Sequence, residues 1–133
     1  MNQEDRDYVS RLYAKAEDTL HAAEYDLTGG FLLATTNRAY YAAYYCIVAL
    51  LHTKDVSTKT HQGAHTKFAE LFIKTSLFPK YASDIINKLF EDRQEADYDL
   101  DADITAEEAR ELIAKASAFL QLTKEYFAKL KLQ

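Results

Sequence analysis

The sequence predicts an all-α bundle of about five antiparallel, up-down helices, in a single domain over residues 1–133. Three observations predict it. The chain holds 3 Gly and 1 Pro, too little punctuation for the many turns of a β-sandwich or barrel. Hydrophobic residues make up 48% and charged residues 28%, a globular balance that excludes disorder and low complexity. Apolar residues recur at helical steps through most of the chain, and no linker or repeat divides it.

The first helix is expected from Gln3 to Leu27. Val9, Leu12, Tyr13, Ala16, Leu20, Ala23 and Leu27 form its buried stripe, and Gly29-Gly30 ends it. The second is expected from Leu33 to Thr53 and is apolar round almost its whole circumference. Between Phe31 and Thr53, only Arg38 is certain to carry charge. Such a helix is central or is shared with a second subunit. Lys54 to Lys59 reads as a loop. The third helix starts at Thr60 or His61, capped by Thr58 or Thr60, and ends near Lys74. The fourth runs from Pro79, in its first turn, to Ala96. Asp97 to Asp103 reads as an acidic loop. The fifth runs from Ala106 to Leu130 and opens on a capping-box pair, Thr105 and Glu108. Short connections imply antiparallel neighbours.

With 16 Lys and Arg against 21 Asp and Glu, the net charge is −5. That argues against a broad DNA- or RNA-gripping surface, which needs clustered cations, but leaves room for a small basic pocket. Cys46 is the single cysteine, so no intrachain disulfide forms, in keeping with a reducing cytoplasm. It lies in the apolar run Tyr44 to Val48 and reads as a small buried hydrophobe. The opening Met1-Asn2-Gln3-Glu4-Asp5 is polar and acidic, so no leader segment is expected. The longest unbroken apolar run, Ala39 to Leu51, is 13 residues, short of the roughly 20 a membrane helix needs. A cytoplasmic protein with no membrane span is the expectation.

Two arginines break the apolar pattern. At 100° per residue, Arg93 points between Ile86, Leu89 and Phe90, the centre of the fourth helix's buried face. An inward arginine needs partners, because an unpaired buried charge costs several kcal/mol. Asp97, four residues on, is one candidate, and the Tyr98 hydroxyl is another. A structural clamp and a binding site both need this geometry. Arg38 shares a helix face with Tyr41, Ala42, Tyr45, Ala49 and His52, while Asn37, Tyr40 and Tyr44 lie on the other. Tyrosines that bury a ring and keep a polar tip suit core edges, interfaces and stacking pockets.

His61 and His65 are spaced for one helix face, as zinc ligands can be. His61-Gln62-Gly63-Ala64-His65 lacks the glutamate of the metalloprotease motif. With no third ligand in view, neither a metal nor a cofactor is expected. A helix start favours anions, which makes His61 a candidate phosphate contact, and Gly63 would allow a close approach. No phosphate loop, nucleophile elbow or metal-spaced carboxylate pair is present.

With these residues in hand, the chain resembles the HEPN family, small helical domains named for higher eukaryotes and prokaryotes nucleotide binding. Asn37-Arg38-Ala39-Tyr40-Tyr41-Ala42-Ala43-Tyr44 is similar to the family's second-helix signature. Lys59-Thr60-His61-Gln62-Gly63 is similar to the start of its third helix. Arg93-Gln94-Glu95-Ala96-Asp97-Tyr98 is similar to its Arg-x-x-Ala-Asp-Tyr motif. The resemblance implies a helical bundle, a homodimer and, for many members, a minimal nucleotidyltransferase partner in a toxin–antitoxin-like pair. It also implies a ribonuclease in members that carry Arg, four to six residues, then His. Here Tyr98 stands at the fifth position after Arg93, and no histidine falls in that window. The position two beyond it, where some toxins carry a modified tyrosine, is Leu100.

The expected function is a nucleotide- or RNA-phosphate-binding module that acts with such a partner. Arg38 and Arg93 would hold phosphate, and Asp97 would orient Arg93. Tyr41 and Tyr45 would stack on a base, and His61 and Tyr98 would complete the site. The alternatives are a metal-independent ribonuclease toxin with a variant active site, and a non-catalytic scaffold whose polar residues are clamps.

Overall fold

The computed structural model describes residues 1–131. Its helices are α1 (Gln3–Thr28), α2 (Leu32–His52), α3 (His61–Phe68), α4 (Tyr81–Tyr98) and α5 (Ala106–Lys129), with no strand among the described residues. A wide π turn, Ala69–Ile73, continues α3.

α2 is the centre of the molecule. Much of its apolar circumference is covered by α1, α3, α4 and α5, while Leu33 is exposed and Tyr41, Tyr44, Tyr45 and Val48 are half-buried. Small side chains make this possible: Ala39, Ala42, Ala43, Cys46 and Ala49 are fully buried, as are Ala16 and Ala23 on α1. Short side chains let helices approach closely. One end of the bundle holds a phenylalanine cluster, with Phe68 and Phe72 stacked at 5.6 Å and Phe78 edge-on to both at 5.5 and 5.6 Å.

Helix ends follow local chemistry. Gly30, at φ +80°, turns the chain between α1 and α2, a conformation glycine adopts without steric cost. Thr60 caps α3, its hydroxyl accepting from the Gly63 N–H at 2.9 Å. A Cβ at Gly63 would stand 3.0 Å from the Thr60 hydroxyl. The Thr105–Glu108 capping box is fully formed.

Three boundaries depart from the sequence reading. The third helix is α-helical only to Phe68; the π turn beyond it keeps Phe68 and Phe72 both in the core. Pro79 lies before α4 rather than in its first turn, its carbonyl accepting from the Ala82 N–H at 3.0 Å. α4 runs on through Asp97 to Tyr98, so Asp97 stands on the helix and not in the loop. None of the described helices is long and apolar enough to cross a membrane.

Phe72 has no exposed surface and touches the rings of Phe68, Phe78 and Tyr126. Phe72→Ala is expected to lower stability by about 3–5 kcal/mol. Tyr25→Ala, at an 81% exposed ring, should stay within about 0.5 kcal/mol of wild type. Urea unfolding of both variants measures the contrast.

Candidate functional site

The Arg93 side chain is 9% exposed, and three aromatic rings surround it. Its Cζ lies 5.1 Å from the Tyr40 ring centre, 5.3 Å from Phe90 and 5.6 Å from Tyr41. Aromatic faces carry negative charge and hold a desolvated guanidinium well. One N–H group reaches a carboxylate: Nη1 donates to Asp97 Oδ2 at 3.2 Å. Asp97 is fixed from the other side by the Asn37 amide, which donates to both its oxygens at 3.2 Å. α2 thus sets the carboxylate that sets the arginine on α4.

The opposite edge of the guanidinium is unused. Arg93 Nε is buried without a hydrogen-bond partner, the single such side-chain atom among the described residues. Nε and Nη2 together form the edge of the fork that grips carboxylates and phosphates bidentately. Asp97 occupies Nη1 and leaves Nε buried and without a protein partner.

The Tyr40 ring that packs against Arg93 carries a second polar group. Tyr40 is fully buried, and its hydroxyl lies 2.6 Å from His61 Nδ1 and 2.9 Å from His65 Nε2. A hydroxyl has one proton, so it donates to one imidazole and accepts an N–H from the other. The two neutral rings therefore carry complementary tautomers. Exchanging them turns His61 Nε2 from donor to acceptor, and Nε2 has no protein partner among the described residues. Tyr44 stacks on the outer face of His61 at 4.2 Å, and Phe90 meets His65 edge-on at 4.8 Å.

Electrostatics keep these groups neutral. Burial, then the charge of Arg93, lowers the pKa of His61. Burial, then His61 and Arg93, lowers that of His65 to about 4. Burial pushes the Tyr40 and Tyr44 hydroxyls up, so neither ionises near pH 7. The site offers one cation, two neutral imidazoles and a neutral hydroxyl.

The structure joins Arg93, Asp97, Tyr41 and His61 into one cluster. Arg38 is held elsewhere, its Nε donating to Asp26 on α1 at 2.7 Å with half its side chain exposed. Tyr45 is linked to Tyr41 at 6.1 Å but carries the Lys15 ammonium over its ring at 4.7 Å. Tyr98 is 76% exposed and makes no hydrogen bond to Arg93, so its hydroxyl is not the arginine's second partner. Asn37, Tyr40, Tyr44, His65 and Phe90 complete the cluster and were not among the expected residues. The helical face shared by Asn37, Tyr40 and Tyr44, and the spacing of His65 from His61, were the signals that point to them. No three His, Cys, Asp or Glu residues among those described converge as a metal site. His61 and His65 instead meet at the Tyr40 hydroxyl.

The HEPN domain profile matches residues 9–126, which include the whole cluster. The chain belongs to the HEPN domain family. A Methanocaldococcus jannaschii protein named "Putative toxin" is 39% identical over 118 residues, 89% of this chain and 80% of its own. A Thermotoga maritima protein named "UPF0332 protein" is 31% identical over 131 residues, 98% of each chain. A second M. jannaschii protein named "Putative toxin" is 31% identical over 125 residues, 94% of this chain and 92% of its own.

This HEPN chain should lose stability in acid through His65. Its folded pKa, about 4, lies below the ordinary 6.5, so the unfolded chain binds more protons between those values. The contribution is fully present above pH 6.5 and is lost as pH falls toward 4. At 1.36 kcal/mol per unit, the loss is on the order of 2–3 kcal/mol. Urea unfolding between pH 7 and 4.5 should fall more steeply for wild type than for His65→Gln; equal slopes would contradict the assignment.

Proposed function

We propose that this HEPN domain is a toxin-like module that binds the phosphate of a nucleotide or RNA at Arg93. It works beside a minimal nucleotidyltransferase as half of a two-component system, and as a homodimer. The family assignment and the names of two relatives support the toxin-like role. The observation that carries the phosphate reading is the unpartnered Nε of a buried, oriented guanidinium.

Phosphate oxygens accept two parallel N–H bonds from the Nε–Nη2 edge, and the low dielectric of the cluster strengthens them. In the tautomer protonated at Nε2, His61 would be a further donor to that ligand. Arg93→Lys keeps the charge but loses the fork. Calorimetric titration with a nucleoside monophosphate should show at least about tenfold weaker binding for Arg93→Lys, equal to about 1.4 kcal/mol. Unchanged affinity would overturn the reading. No binding to wild type, with a stability loss of about 3–5 kcal/mol in Arg93→Ala, would favour the scaffold instead. Recovery of a nucleotidyltransferase in near-equal amount on pull-down from the host checks the partner.

A second reading is a ribonuclease with a variant active site. The neutral His61 imidazole, on the same rings as Arg93, favours it. RNA cleavage needs an acid or base near neutrality and a cation on the phosphate, and His61 supplies from α3 the imidazole that the segment after Arg93 lacks. Growth arrest on overexpression, relieved by Arg93→Ala and by His61→Ala, is the expected outcome of this reading. Arrest that survives both substitutions would contradict it.

A further inference from the structure

One end of the bundle leaves large apolar side chains in water. Phe31 and Leu33, where the chain turns from α1 into α2, are exposed; so are Tyr98 and Leu100 at the end of α4, Leu100 fully. The two segments meet. Leu33 lines one hollow with Ala96, Ala102 and Ile104, and Asn37 on α2 donates to Asp97 on α4. A lone exposed leucine is ordinary, but several large apolar groups at one end mark a surface that another molecule covers. We propose that this end docks a basic amphipathic helix of a second protein. Its apolar face covers Leu33 and Leu100, and its cations meet the neighbouring carboxylates. The inference goes beyond the reading above: it needs neither phosphate at Arg93 nor a nucleotidyltransferase as the partner.

Charge selects the occupant. From Glu95 to Glu108 the chain carries Asp97, Asp99, Asp101, Asp103 and Glu107 and no Lys or Arg. Such a surface repels RNA and an anionic lipid face. It equally repels a second copy docked through the same end, because a two-fold contact sets each patch against itself. A protein partner with Lys or Arg beside apolar side chains matches both properties. An amphipathic helix presents them as adjacent stripes, and here Tyr98 and Leu100 alternate with Asp97, Asp99 and Asp101.

The hollow gives one cation a definite place. Its volume is about 130 Å³, a little under the roughly 150 Å³ that holds a benzene ring, which suits the stem of one long side chain. Leu33, Ala96, Ala102 and Ile104 supply the apolar wall that such a stem covers. Two of the carboxylates on its rim are committed. Asp92 pairs with Lys88 at 3.2 Å, and Glu108 accepts from Thr105 in the capping box. The other two, Glu95 and Asp103, hold no ion pair or side-chain hydrogen bond among the described residues and are free to meet the incoming charge.

The test adds the full chain to a fluorescein-labelled Lys–Leu amphipathic helical peptide and follows its anisotropy. Wild type should bind this peptide at least about tenfold more tightly than a Glu–Leu peptide of the same pattern. Leu33→Ser with Leu100→Ser changes two exposed positions and no charge, and should weaken binding about tenfold. Glu95→Gln with Asp103→Asn should weaken it to a similar degree. Leu77→Ser, at an exposed leucine before α4, should leave it unchanged. Equal binding of the two peptides overturns the proposal. So does binding that survives the double serine variant, which is general attraction to an acidic protein. Sedimentation velocity tests the competing occupant. A mass unaffected by the double serine variant agrees with a different protein as partner, whereas self-association lost in that variant overturns it in favour of a second copy.

Discussion

A guanidinium cannot leave water without compensation, and Arg93 sets the terms for everything round it. Its charge is answered by one carboxylate and three ring faces. The carboxylate is available because α4 continues one turn past Arg93, and because Asn37 on α2 holds Asp97 in place. The same charge acts on the imidazoles: with burial, it keeps His61 and His65 neutral. A site with two more cations would be unstable before any ligand arrived. A site with one cation and two neutral imidazoles carries no such repulsion.

α2 makes this arrangement possible by dividing its surface between two tasks. The alanines and Cys46 take close contact with neighbouring helices, where a larger side chain would force them apart. The tyrosines stand where the packing opens, and their rings become the walls of the cluster. Tyr40 does both: its ring is buried under Arg93, and its hydroxyl ties α3 to α2 through the two histidines. The position of α3, which has only a short helical run of its own, thus depends on a polar contact inside the Arg93 cluster. Packing and chemistry are not separable here.

The fold was legible because its signals are local. Scarce glycine and proline, the stripes of α1 and α5, the Thr105 cap and the Gly29-Gly30 stop each act within a few residues. Arg93 was legible for the same reason, as a charge at the centre of an apolar stripe. The rest of the site was not. Whether Tyr40 or Tyr41 faces α3 depends on how α2 is rotated against four neighbours, which periodicity alone does not fix. Arg38 looked equivalent to Arg93 in sequence, but Asp26 lies across a helix pair and captures it. Tyr98 follows Asp97 directly, yet one step along a helix turns a side chain by 100°, and its ring faces outward. The π turn after Phe68 carries no glycine or proline to announce it.

The central claim is that the free edge of Arg93 receives phosphate. The ¹H–¹⁵N resonance of Arg93 Nε, assigned by its loss in Arg93→Lys, reports on that edge directly. Titration with inorganic phosphate should shift it saturably, while the Nε resonance of Arg38, already paired with Asp26, stays in place. A Nε resonance of Arg93 that does not move at saturating phosphate would contradict the account and leave the buried arginine as a structural clamp.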